Sequence, residues 1–141
     1  MIKYEKLPAD ILNRIPDVKR LLTEDGNVIF AYLFGGLTRK NIRPFSDVDI
    51  GVYLRDTEQI GEYKLRLFDR ITRVLGTSEL DLVILNVAPI SLTGRILQTR
   101  QVLVDKEPPV RHDYESLILR EFFDFKIKEE SLLSRRYGTS R

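Results

Sequence analysis

Cysteine is absent from the 141-residue sequence, which excludes disulfides, thiolate metal sites and cysteine nucleophiles. Histidine occurs once, at His112. No apolar run approaches the roughly 20 residues of a membrane span. The opening "MIKYEKLPADIL" has no long apolar stretch of the signal-peptide kind, so the expected location is cytoplasmic and no membrane partner is expected. The formal net charge is only +2, which gives no global electrostatic argument for nucleic-acid binding. Internal repeats, low-complexity tracts and linkers are missing too, so one domain spanning 1–141 is expected.

What is present is a globular composition, 43% hydrophobic and 31% charged, with enough length for one core without staples. "LPADILNRIPDVKRLLTEDG" carries Pro8 and Pro16, each suited to a first helical turn, and predicts two short helices ending near Gly26. "NVIFAYLF" (27–34) is β-branched and aromatic and reads as a buried strand. "DVDIGVYL" (47–54) is a second strand, and the short connection between the two favours antiparallel pairing.

Downstream, Ile60, Tyr63, Leu67, Ile71 and Val74 recur at helical spacing, with Thr57 as the expected N-cap and Gly76 as the terminating residue. "ELDLVILN" (79–86) predicts a third strand, "APISLTGRILQT" a short helix and "QVLVDK" an edge strand. A long helix is expected from Pro108 onward, packed through Val110, Tyr114, Leu117, Ile118, Phe122 and Phe125. The fold class is therefore α/β (α+β), a small mixed sheet flanked by helices.

Two carboxylates break the apolar pattern of the second strand. Side chains alternate along a strand, so Asp47 and Asp49 share one face, about 7 Å apart at Cβ, while Val48, Ile50 and Val52 take the other. Like charges so placed repel unless a cation bridges them. An all-oxygen donor set suits Mg²⁺ or Mn²⁺. Asp81 alternates with Leu80 and Leu82, and joins the pair if the third strand lies beside the second. Glu79 shares its face but stands at the strand's start. Three carboxylates can hold two ions for in-line phosphoryl displacement. Ahead of them, Gly35 and Gly36 let the backbone turn sharply and approach a ligand, with N–H groups suited to an anion. Thr38, Arg39, Lys40 and Arg43 add hydroxyl and cationic groups.

The combination "FGGLTRKNIRPFSDVDI" and "ELDLVI" resembles the signature of the DNA polymerase β-like nucleotidyltransferase superfamily: Gly-[Gly/Ser], about ten residues, Asp-x-Asp, and a later acidic strand residue. The small size resembles its minimal nucleotidyltransferases (MNT), antitoxins paired with HEPN-domain ribonuclease toxins. The resemblance runs from about residue 30 to 130 and implies the polymerase β-like nucleotidyltransferase fold. It implies Asp47, Asp49 and Asp81 as catalytic and metal-binding residues holding two Mg²⁺ ions. It further implies ATP as substrate, held by Gly35, Gly36, Thr38, Arg43 and Ser46, and transfer of AMP to a tyrosine of a HEPN toxin. Members usually have Gly-Ser where this chain has Gly35-Gly36, so a hydroxyl contact to phosphate would have to come from Thr38.

HEPN ribonucleases carry R-x4-6-H. Ahead of His112 the matching positions are Asp105, Lys106 and Glu107, so this chain is not the ribonuclease, and His112 reads as a surface residue early in the last helix. Three readings stay open at this point: a protein adenylyltransferase, a nucleotidyltransferase acting on RNA or a small molecule, and an antitoxin that masks its toxin by contact. Direct nucleic-acid binding is not expected, and the sequence leaves the oligomeric state open.

Overall fold

The computed structural model describes residues 10–38 and 47–137. Helix α1 (Ile11–Glu24) leads into strand β1 (Val28–Phe34), a 3-10 turn at Gly35–Thr38, strand β2 (Val48–Leu54), helix α2 (Ile60–Leu75), strand β3 (Leu80–Ile84), helix α3 (Ile90–Thr99), strand β4 (Gln101–Asp105) and helix α4 (Pro108–Tyr137). The four strands form one mixed sheet in the order β3-β2-β1-β4. β1 pairs antiparallel with β2 and with β4, whereas β2 and β3 run parallel, joined through the α2 crossover.

Alternation on the strands builds two cores, one on each face. Val28, Ala31, Leu33, Val48, Ile50, Val52, Leu82 and Ile84 meet α1 and α2 through Val18, Leu22, Leu67 and Ile71. Phe30, Tyr32, Phe34, Val83 and Leu85 meet α3 and α4 through Ile96, Leu97 and Ile118. Because β1 lies inside the sheet with both faces covered, all seven of its residues are buried. At Gly51 the missing side chain makes room for Leu85, which packs over the β2 backbone. On α3, Gly94 serves as the seat for the ring of Phe122 on α4.

Several sequence expectations are corrected. One helix runs from Ile11 to Glu24 with Pro16 inside it, not two helices broken there; Pro8 lies outside the described residues. Proline removes the bond to the carbonyl four residues back, which belongs to exposed Leu12 and can be satisfied by water. Thr57 does not cap α2. The Asp56 carboxylate accepts the Glu58 N–H at 2.9 Å, forming a local turn, and the helix begins only after Gln59, whose φ is 52°. Gly76, at φ 73°, ends α2 as expected. Leu117 is 47% exposed because the packed stripe of α4 follows the four-residue steps Tyr114, Ile118 and Phe122. His112 is exposed near the start of α4. Among the described residues, no helix is long and apolar enough to cross a membrane.

Candidate active site

The end of β1 and the starts of β2 and β3 come together on the sheet face that carries α3 and α4. In register, Phe34 pairs with Asp49, and Asp49 pairs with Asp81. A single row thus crosses three strands: Phe34, Asp49, Asp81. Strands stand about 4.8 Å apart, so the two carboxylates are neighbours on one face. Asp47 leads into β2, whose first residue is fixed by the Val48 N–H donating to the Glu79 carbonyl at 2.9 Å. Asp47 and Asp49 are half-buried and Asp81 is exposed. Glu79, the competing candidate, is buried just ahead of β3.

Gly35 closes the row. Its φ is +72°, a left-handed conformation that L side chains rarely adopt. A Cβ built there would run into Oδ2 of Asp49, so the glycine backbone lies directly against that carboxylate. Position 35 therefore requires glycine for both backbone angle and space. Gly36, Leu37 and Thr38 complete the 3-10 turn. Arg43 and Ser46, together with Arg39 and Lys40, lie outside the described residues.

The structure adds a contact that the sequence did not reveal. The Gly35 N–H donates to Thr99 Oγ1 at 3.0 Å, which ties the glycine turn to the end of α3. Thr99 ends α3, and the next residue, Arg100, belongs to a buried network. The Arg100 guanidinium donates to Glu115 at 2.8 Å, the Tyr32 hydroxyl donates to the same carboxylate at 2.6 Å, and Arg111 reaches its other oxygen at 3.0 Å. Glu115 is only 7% exposed. Burial alone would raise its pKa, but the Tyr32 hydroxyl and the two guanidiniums outweigh that and hold it below the usual carboxylate range. Burial, followed by the bond to Glu115, pushes the Tyr32 hydroxyl well above the ordinary tyrosine value. The network ties β1 to α4 and fixes Arg100 beside the threonine that holds the glycine turn. The only local sequence sign of it is the Arg111/Glu115 spacing of four along a helix.

The donor set on the row is oxygen only, which fits a hard divalent cation. Among the described residues, no group of three or more carboxylates, histidines or cysteines is drawn close enough to form a closed metal cluster. The three aspartates share a face without converging on one point.

A family model described as polymerase beta nucleotidyltransferase matches residues 17–109. The chain belongs to this family. The matched residues include the glycine turn, Asp47, Asp49 and Asp81. None of the curated proteins matches the sequence. Among solved structures, the toxin–antitoxin complex MntA–HepT contains a similar chain, 20% identical, with a TM-score of 0.65 over 88% of this chain and 96% of that one. An MNT antitoxin complex with a tri-AMPylated HEPN toxin from Shewanella oneidensis is 18% identical, with a TM-score of 0.64 over 89% and 94% of the two chains. A toxin–antitoxin structure with AMP-PNP is 19% identical, with a TM-score of 0.69 over 87% and 95%. At these identities the likeness is one of fold, and it bears out the nucleotidyltransferase fold expected from the sequence.

Proposed function

We propose that this nucleotidyltransferase transfers AMP from ATP to a tyrosine hydroxyl of a HEPN-domain toxin and so neutralises it, acting as an antitoxin in the cytoplasm as one domain over residues 1–141. The observation that carries this reading is the row itself: Asp49 and Asp81 are aligned across the ladder, and the Gly35 backbone is pressed against the Asp49 carboxylate. The AMPylated toxin and the AMP-PNP complex among the structural neighbours support the choice of nucleotide and partner class.

Asp47, Asp49 and Asp81 would hold Mg²⁺, or Mn²⁺, in a two-ion arrangement. When bound, the ions neutralise triphosphate charge and lower the acceptor's pKa. The chain's own residues do the positioning. Gly35 brings the backbone down to the carboxylates, and Gly36, Leu37 and Thr38 present the turn to the phosphates. Arg43 and Ser46 are assigned to the same triphosphate on the sequence pattern. The tyrosine oxygen forms a bond to the α-phosphorus. The bond from that phosphorus to the bridging oxygen breaks and pyrophosphate leaves, while the phenolic proton passes to solvent at the exposed Asp81 edge. The product is an AMP phosphodiester of tyrosine. Its added negative charge would repel RNA phosphates from the toxin.

The test is intact-mass spectrometry of the HEPN partner after incubation with this protein and Mg-ATP. The partner should gain the mass of AMP, and the Asp49→Asn variant should bind it without modifying it. Equal suppression of the ribonuclease by the parent and the variant, with no mass change, would identify a masking antitoxin instead.

A further inference from the structure

β3 is the outer strand on its side of the sheet, and a cleft of about 390 Å³ runs along it. The start of α2 supplies Ile60 and Lys64 to its wall, the turn after β3 supplies Val87 and Pro89, and α3 supplies Leu92. Asp81 lines the same cleft, so the cleft is continuous with the carboxylate row. Resting on the transferase reading above, we propose that this cleft receives the acceptor, and that its walls select an aromatic hydroxyl.

Across the sheet the order is Gly35 at the end of β1, Asp49 on β2, Asp81 on β3, and then the cleft. In-line displacement places the attacking oxygen and the departing pyrophosphate on opposite sides of the α-phosphorus. With the triphosphate against the glycine turn, the attacking oxygen arrives from the β3 side, where the cleft opens.

Apart from Asp81 and Lys64, the lining residues are uncharged and mostly apolar. Apolar walls with a few convergent polar groups suit a flat ring bearing one polar atom. A serine or threonine side chain would leave those walls unfilled. A phenol buries its ring against Ile60 and Leu92 and brings its oxygen to Asp81, and the Lys64 ammonium favours the phenolate as the proton leaves.

The lack of cysteine supplies the test. The Val87→Cys variant introduces a single thiol at a position that is 65% exposed on the cleft wall. The Arg20→Cys variant, on α1 across the sheet, places one at a position whose side chain is 71% exposed. Each is capped with a bulky maleimide, then assayed for Mg-ATP affinity by calorimetry and for AMP transfer to the HEPN partner by mass spectrometry. Capping at position 87 should reduce transfer at least tenfold while ATP affinity stays within twofold, and capping at position 20 should change neither. Unchanged transfer after capping at 87 overturns the proposal. Lost ATP affinity also overturns it, because the cleft would then hold the nucleotide. An uncapped parent that never modifies the partner is a separate result: it removes the transferase reading, and this proposal falls with it.

Discussion

Asp49 and Asp81 stand directly opposite one another on the parallel β2–β3 ladder, on the face that also carries Phe34. Like charges opposed across a ladder destabilise it. Without divalent cation, Asp49→Asn and Asp81→Asn should therefore melt at or above the parent, with a gain of about 0.2–1 kcal/mol. Millimolar Mg²⁺ should raise the parent's melting temperature and leave that of Asp49→Asn in place. Thermal melts with and without EDTA decide it. Much lower melting of both variants would make the carboxylates structural.

Gly35→Ala should destabilise the protein by about 1–3 kcal/mol, from the left-handed backbone and the collision with Asp49 together. Only the second part depends on the Asp49 side chain. In the Asp49→Ala background the same substitution should be less damaging. A double-mutant cycle of urea midpoints measures the difference, and strict additivity would deny the contact.

Thr99→Val removes the acceptor of the Gly35 N–H while keeping the side-chain shape. The expected loss is about 1 kcal/mol of stability. The KM for ATP should rise more than kcat falls, since the turn is loosened while the carboxylate row is untouched. Steady-state kinetics at two ATP concentrations separate the two effects.

Glu115 and Tyr32 set opposite ends of a pH window. The Glu115 pKa is depressed in the fold, so its contribution is complete above the ordinary glutamate value of about 4.3 and is lost as pH falls below that. The Tyr32 pKa is raised, so its contribution is complete below about pH 10 and declines above it. The contribution of this pair should be flat between these limits. Glu115→Gln should cost about 3 kcal/mol, because it leaves Arg100 and Arg111 without their shared carboxylate. It should also flatten the acid limb. Urea unfolding across pH provides the measurement.

The strands and the row of acidic residues were readable because period-two alternation and turn glycines are local signals. Asp47 and Asp49 interrupt an apolar strand, and Asp81 does so again at the matching place on its neighbour. The contact of Gly35 with Thr99 was not readable, since it joins residues far apart in sequence and a threonine at a helix end has many ordinary uses. Pro16 misled because its effect depends on whether the freed carbonyl faces water. Leu117 misled because three-residue and four-residue steps are both helical, and only the packed partner chooses between them.

Helix α4 is fixed to the body along its first half, by the packing of Val110, Tyr114 and Ile118, the Glu115 network and the seat of Phe122 on Gly94. From Lys126 to Arg136 every residue except Ser134 is exposed. Rooted in this way, the helix is a lever. Some 15 residues beyond Phe122 extend roughly 22 Å, so a tilt of about 10° at the root would move the tip roughly 4 Å. The root adjoins Arg100, next to the threonine that holds the glycine turn, so the base of the exposed helix and the glycine turn share one short stretch of chain.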